Sequence, residues 1–203
     1  VIITEKVFNE FYNFLKQNNI KTLPLTASQL SFRLYNKLNN NLLDGRDIDN
    51  DYLFLESYYG GRTEYYFIGK YNNDVYAYDF NSLYPYVMLK YKYPLQFEKA
   101  EFLPHYEDFI RDVYLYEGVG LFEIQAENTF YFISKDKKIE IGLLPYKNEH
   151  GKVIYPKGRW IGFYNLNEIR YAIENNYKVK PLYVEYWKSD YLPNISECIK
   201  YWY

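Results

Sequence analysis

The chain has 203 residues and a formal net charge of −2, from 24 basic and 26 acidic side chains. This balance argues against a protein whose whole surface binds a polyanion, although it leaves room for a local basic groove. The single cysteine excludes an internal disulfide and any metal cluster built from several cysteines. No apolar run approaches the ~18 residues that a membrane span needs, so we expect no membrane partner.

Aromatic residues make up 22 % of the chain, and 28 of its residues are tyrosines. Large aromatic side chains bury extensive apolar surface, so the capacity to form a core is ample. A chain of this length forms one large domain or two small ones. Helical and strand-like patterns both occur along it, and the sequence therefore predicts an α+β fold.

The first fifty residues are predicted to contain two helices. Apolar residues recur at helical spacing from Thr4 to Lys16. Thr26 and Gln29 form a capping-box pattern for a second helix that runs to about Leu38. The acidic stretch at 44–51 lacks the glycine and glutamate that a calcium loop requires, so we interpret it as a solvated loop.

Residues 52–57 are predicted to form a short strand that leads into Tyr58-Tyr59-Gly60-Gly61-Arg62. Paired glycines allow positive φ angles and the close approach of another backbone. On these residues alone, the segment is either a plain loop or a place where N–H groups and Arg62 hold phosphates. Residues 63–70 and 75–80 are predicted to pair as a hairpin.

The stretch from Val75 to Lys90 carries the clearest chemistry. Val75 to Phe80 is rich in strand formers and is predicted to be a buried strand. Ser82 is predicted to cap a short helix that has Pro85 at its third position. On the residues alone, Asp79 is either a turn residue or a ligand that a rigid strand presents to Mg²⁺, with the Phe80 carbonyl as a second oxygen ligand.

Asp79-Phe80-Asn81-Ser82-Leu83-Tyr84-Pro85 resembles motif A of the family B DNA polymerases, the first metal-binding motif of the palm. Tyr58-Tyr59-Gly60-Gly61 resembles the Tyr-x-Gly-Gly motif that joins the exonuclease and polymerase domains of this family. The order and spacing of the two motifs are similar to those of the protein-primed branch, found in phages and in linear plasmids of fungal mitochondria. The resemblance implies a DNA-directed DNA polymerase that replicates a linear genome, in the mitochondrion if a plasmid encodes it and otherwise in the cytoplasm.

The resemblance also implies a role for each residue of motif A. Asp79 matches the catalytic aspartate that binds metal, and the carbonyl of Phe80 would bind the same metal. Leu83 would contact the triphosphate of the incoming nucleotide through its backbone, and Ser82 would support this nucleotide site structurally. Tyr84 would stack under the sugar and exclude a 2′ hydroxyl group. Tyr86 departs from the small residue that commonly follows the proline.

The DNA-binding residues implied by the second motif are Tyr58, Gly60, Gly61 and Arg62. The implied cofactor is a pair of Mg²⁺ ions in the complete active site. The implied partners are the DNA template, the primer strand, deoxynucleoside triphosphates and a terminal protein, and we expect no oligomer. The family's Tyr-x-Asp-Thr-Asp and Lys-x-x-x-Asn-Ser-x-Tyr-Gly motifs do not occur in these residues. We therefore interpret the chain as a fragment of a polymerase that is inactive alone.

Three segments are predicted. Residues 1–50 would be the tail of an exonuclease domain and a linker, 51–93 the start of the palm, and 94–203 an insertion that contacts the terminal protein. The predicted strands of the third segment are at 114–126, 130–134, 139–144, 152–155, 158–164 and 177–187. A helix is predicted at 165–176, with Asn165 and Glu168 as its capping pattern, and a final helix begins at Pro193. Gly118 and Gly120 are predicted to mark a bulge or a close crossing of strands.

Two other interpretations come from the residues themselves. Exposed tyrosines among scattered lysines, as at 90–93, are also typical of a non-catalytic module that stacks on nucleic acid or sugars. A decayed polymerase relic is a further alternative. Dependence on Mg²⁺ separates the first alternative from a polymerase, because a stacking module needs no metal ion.

Overall fold

The computed structural model describes residues 2–24, 26–39, 52–63, 69–70, 72, 74–127, 130–134 and 137–200. The chain forms two compact units. The helical unit comprises residues 1–46, 81–91 and 191–203, and the sheet unit comprises residues 47–80 and 92–190. The mixture of helices and strands confirms the predicted α+β class. The predicted division into segments 1–50, 51–93 and 94–203 stays a prediction.

Helices and strands alternate irregularly along the part of the chain that the structure describes. The helices are α1 (Ile2–Gln17), α2 (Ala27–Leu38), α3 (Tyr52–Glu56), α4 (Leu83–Lys90), α5 (Tyr106–Leu115), α6 (Leu166–Glu174) and α7 (Ile195–Lys200). The strands are β1 (Tyr93–Phe102), β2 (Glu117–Ala126), β3 (Phe130–Ser134), β4 (Lys137–Ile141), β5 (Tyr146–Lys147), β6 (Val153–Ile154), β7 (Gly158–Asn165) and β8 (Lys178–Asp190). None of the described helices has the length and apolar character needed to cross a lipid bilayer.

The helical unit contains α1, α2, α4 and α7. Both predicted N-terminal helices are confirmed. Thr26 is the N-cap of α2, and its side chain accepts a hydrogen bond from the backbone N–H of Gln29, as the sequence pattern predicts. Leu15, Leu30 and Leu34 form the buried core of this unit, because the apolar stripes of α1 and α2 meet there.

The sheet unit is built on a four-stranded antiparallel sheet in the order β1-β8-β2-β7. Two small hairpins, β3–β4 and β5–β6, lie outside this sheet. Helices α5 and α6 pack against the sheet and against each other. The fully buried side chains of Phe109, Phe122, Tyr164, Ile169 and Tyr186 belong to this one core.

The buried hydroxyl group of Tyr164 has two hydrogen-bond partners. The indole Nε1 of Trp160 donates to Tyr164 Oη over 2.7 Å, and that hydroxyl donates to the carbonyl of Pro145, also over 2.7 Å. A buried hydroxyl without such partners would lower the stability of the fold. These hydrogen bonds therefore stabilise Tyr164 at its fully buried position on the edge strand β7.

Gly118 and Gly120 lie where β2 passes against the backbone of β8. Gly118 has a φ of +151°, and a Cβ atom there would lie 1.9 Å from the carbonyl oxygen of Glu185. A Cβ atom on Gly120 would lie 2.4 Å from the carbonyl oxygen of Tyr183. The predicted close crossing is confirmed, because only glycine leaves room for this approach.

Two predicted strands, at 52–57 and 114–126, differ from the structure. Residues 52–56 form helix α3 instead of a strand, and the ring of Phe54 packs against the ring of Trp187 on β8 at 5.6 Å. The predicted strand at 114–126 begins only at Glu117, because α5 continues to Leu115. Three elements, α5, β1 and β5, were not predicted. Packing against the sheet decides these short segments more than local propensity does.

The predicted strand Val75–Phe80 is also wrong. These residues are exposed and have no strand assignment in the structure. Residues 64–68, which the predicted hairpin would pair with them, lie outside the described residues. Strand propensity reflects packing against neighbouring strands, and the described residues supply Val75–Phe80 with no such neighbour. The acidic stretch at 44–51 also lies outside the described residues.

Candidate nucleic-acid interface

The Tyr-x-Gly-Gly segment is held on the sheet unit by the residues that flank its glycines. Tyr59 Oη donates to the carbonyl of Phe163 on edge strand β7 over 3.0 Å, and its ring stacks on Tyr164 with centroids 5.7 Å apart. Arg62 Nη1 donates to the carbonyl of Gly142 over 2.9 Å. The segment therefore has a defined conformation relative to the sheet.

Gly60 and Gly61 lie between these two attachment points. Gly60 has a φ of +73°, which confirms the prediction that the glycine pair allows a positive φ. No described atom would lie within 4 Å of a Cβ atom at either position. The glycines thus give the loop its conformation and leave its outer side open to a ligand.

The loop borders a pocket of about 370 Å³ in the sheet unit, which we call the Glu168 pocket. Its walls include Tyr58, Gly60, Arg62, Tyr155 and Glu168. Tyr58 is 72 % exposed, so its ring is free to stack on a planar ligand. The guanidinium carbon of Arg62 lies 3.8 Å from the centroid of the Tyr155 ring, so the cation is fixed against an aromatic face.

Glu168 is the acidic group of the pocket. Its Oε2 atom accepts hydrogen bonds from the backbone N–H of Asn165 over 3.3 Å and from Asn165 Nδ2 over 2.7 Å. Burial raises the pKa of the Glu168 carboxyl to about 7, against the smaller opposing effect of the Asn165 backbone hydrogen bond. Its Oε1 atom has no hydrogen-bond partner among the described residues. Burial, followed by the charge of Glu168, likewise raises the pKa of Tyr59 to about 12.

The structure brings Tyr58, Gly60 and Arg62 together in one pocket, with Gly61 between them in the same loop. Sequence reasoning identified Glu168 only as part of a capping box, which the structure confirms at the start of α6. The sequence signal for that cap, Asn165 followed three residues later by Glu168, is purely local. That signal does not indicate that Tyr58 and Arg62 line the same pocket as the carboxyl group of Glu168.

Asp79 and Phe80 lie at the end of the first segment of the sheet unit, where they are exposed and belong to no helix or strand. The N–H of Phe80 donates to Asp79 Oδ1 over 2.9 Å. Within the described residues, no group of three or more His, Cys, Asp or Glu side chains is arranged to hold a metal ion. The exposed carboxylate of Asp79 and the backbone carbonyl of Phe80 are nevertheless hard oxygen donors, the class that Mg²⁺ prefers.

Ser82, Leu83 and Tyr84 lie in the helical unit, whose boundary with the sheet unit falls between Phe80 and Asn81. Helix α4 begins at Leu83, so Pro85 occupies its third position as predicted. The predicted side-chain cap is wrong, because Ser82 has a φ of 54° and its hydroxyl makes no capping hydrogen bond. The ring of Tyr84 is 74 % exposed.

Comparison with known proteins shows similarity to DNA polymerases. The family model described as "DNA polymerase type B, organellar and viral" matches residues 1–193. A "Probable DNA polymerase" of Podospora anserina is 29 % identical over 182 residues, which cover 86 % of this chain and 14 % of the relative. The chain therefore spans about 14 % of the length of that relative. No solved structure is significantly similar to the chain.

Proposed function

The chain belongs to the organellar and viral type B DNA polymerases, and on this premise we propose that it supplies Asp79 and the Tyr-x-Gly-Gly DNA contact to a protein-primed polymerase. The supporting observation is that both motifs lie inside the matched residues, 1–193, and present exposed groups. The proposed partners are a DNA template and primer, deoxynucleoside triphosphates and a terminal protein. The proposed setting is a linear replicon, with the mitochondrion as the location where that replicon is a plasmid.

Asp79 and the carbonyl of Phe80 would hold one Mg²⁺ ion in this proposal. When bound, a pair of such ions would supply activation of the attacking 3′ hydroxyl group and charge stabilisation for the triphosphate. The role of the chain's own residues is to present these oxygens without competing partners. Among the described residues, the Phe80 N–H is the only hydrogen-bond donor to the Asp79 carboxylate. That single local bond orients the carboxylate and leaves Asp79 Oδ2 for a metal.

Tyr84 would limit the site to deoxynucleotides, and Leu83 and Ser82 would shape the same nucleotide site. The exposed ring of Tyr84 offers a flat surface on which a sugar can rest. A hydroxyl group at the 2′ position would collide with that ring. Tyr58, Gly60, Gly61 and Arg62 would contact the template, through stacking on Tyr58 and through phosphate contacts to the loop N–H groups.

The decisive experiment replaces Asp79 in a complete polymerase that carries this segment. Asp79→Asn keeps the shape of the side chain and removes the negative charge, so we expect nucleotide incorporation to be lost. Asp74→Asn is the matched control, because Asp74 is also exposed in the same stretch without helix or strand. Incorporation by Asp79→Asn at the wild-type rate would refute the metal assignment and leave a non-catalytic nucleic-acid module as the better interpretation.

A second substitution tests the nucleotide site. We expect Tyr84→Val to admit ribonucleotides, because the ring that excludes the 2′ hydroxyl group is removed. Tyr86→Val is the control, since Tyr86 is an exposed tyrosine on the same helix, α4. Equal ribonucleotide incorporation by the two variants would contradict the role of Tyr84. We further propose that the 203-residue chain alone is inactive, which incorporation by the purified chain would disprove.

A further inference from the structure

The Glu168 pocket combines three features that its structural role does not require. Its volume of about 370 Å³ falls within the range of small-molecule sites in proteins, roughly 300–1,000 Å³. It has a fixed cation, Arg62, and a fixed carboxyl group, Glu168, in the same walls. Tyr58 and Tyr155 add aromatic surface. A ligand that fits must therefore be planar and must offer both hydrogen-bond donors and acceptors.

The hydrogen bonds that the Glu168 side chain accepts from the described residues use only one of its two carboxyl oxygens, Oε2. The backbone N–H and the side-chain Nδ2 of Asn165 both donate to Glu168 Oε2, which fixes the orientation of the carboxyl group. The capping box is therefore complete without Oε1, which accepts no hydrogen bond from the described residues. A carboxylate oxygen fixed in this way, beside an open cavity, is an acceptor for a donor group on a ligand.

On these observations we propose that the Glu168 pocket binds a nucleobase of single-stranded DNA and selects bases that carry an exocyclic amino group. The inference rests on the proposed function, because it takes the Tyr-x-Gly-Gly loop to be a DNA contact. Glu168 Oε1 accepts from the amino group of cytosine, adenine or guanine, as carboxylates do in base recognition. Tyr58 stacks on the base, and Arg62 faces its acceptor atoms.

Thymine is the base that the pocket disfavours. It has no exocyclic amino group, and its one N–H lies between two carbonyl oxygens that the carboxylate repels. Cytosine has nearly the same size and the same sugar–phosphate backbone, so the pair isolates the contribution of the amino group. A hydrogen bond to a charged acceptor commonly changes affinity by about tenfold, and we expect a preference of this size for cytosine.

The experiment measures binding of the 203-residue chain to labelled oligo(dC) and oligo(dT) of equal length by fluorescence anisotropy at pH 8. We expect the wild-type chain to bind oligo(dC) about tenfold more tightly. Glu168→Gln should reduce this ratio to near unity, because glutamine preserves the capping pattern and removes the charge. Glu174→Gln is the control, since Glu174 is an exposed acidic residue on the same helix, and it should leave the ratio unchanged.

The outcomes separate this inference from the proposed function. Equal binding of both oligonucleotides by the wild-type chain, or an unchanged ratio in Glu168→Gln, would overturn base selection while the DNA contact remains. Failure of both oligonucleotides to bind the wild-type chain would overturn the DNA contact itself. If Glu168→Gln does not fold, the wild-type ratio alone decides, because a preference for oligo(dT) or no preference refutes the inference.

Discussion

The buried carboxyl group of Glu168 should make the stability of the sheet unit depend on pH. Its pKa rises from an ordinary value of 4.5 to about 7 in the folded chain, because burial disfavours the charged form. The folded state therefore holds this proton more tightly than the unfolded state does. The group stabilises the fold fully below pH 4.5, and that contribution is lost as the pH rises to about 7.

The expected magnitude follows from the difference between the two pKa values. A difference of about 2.5 in pKa corresponds to about 3 kcal/mol in the free energy of unfolding. Glu168→Gln does not titrate, and glutamine can occupy the same capping position. The free energy of unfolding of the variant minus that of the wild type should therefore increase by roughly 2–3 kcal/mol between pH 5 and pH 8.

The assay is urea unfolding of the full chain, followed by tryptophan fluorescence at several pH values. Trp160 is buried in the sheet-unit core, so its fluorescence reports on that unit. Comparison with wild type at each pH cancels the titration of the other carboxyl groups. Glu174→Gln should show no such trend. A variant-minus-wild-type difference that stays constant within about 0.5 kcal/mol across this pH range would refute the buried-carboxyl explanation.

Two further predictions concern the glycines and the exposed aromatic side chain. Gly118→Ala should lower the free energy of unfolding, as measured in urea, by at least about 3 kcal/mol, because a φ of +151° adds strain and a backbone atom would lie 1.9 Å from the new Cβ. Gly61→Ala is the control, because a Cβ atom there meets open space. Equal stability of the two variants would contradict the crossing geometry. Tyr58→Ala should weaken binding of single-stranded DNA, measured by fluorescence anisotropy, by about 1–3 kcal/mol, because base stacking is lost. Tyr171 is an exposed tyrosine of α6, and an equal loss of affinity in Tyr171→Ala would indicate non-specific binding instead.

The elements that the sequence predicted correctly are those whose signals are local. Helix α2 has a capping threonine directly before its apolar stripe, and α6 has a complete capping box. Such signals act over one or two helical turns, so they can be recognised from the sequence alone. The close crossing at Gly118 could be predicted for a related reason. A glycine inside a strand pattern indicates the close approach of another backbone, whichever element supplies it.

The segment Val75–Phe80 shows why propensity alone gave a wrong result. Its residues are good strand formers, but a strand exists only through hydrogen bonds to another strand. No described strand pairs with it, and its side chains are exposed. Asp79, which lies within this exposed segment, is accessible as a result.

The Glu168 pocket could not be predicted, because its walls are far apart in the sequence. The hydrogen bond from Arg62 to Gly142 joins residues 80 positions apart, and the one from Tyr59 to Phe163 joins residues 104 positions apart. In the proposed function the Tyr-x-Gly-Gly motif contacts DNA, and sequence resemblance alone would assign that contact to the motif's own atoms. The fold adds a carboxyl group from the start of α6 to the same surface. In the proposed site the motif therefore forms one side, and the residue that would determine base preference comes from α6, an element that only the tertiary structure brings there.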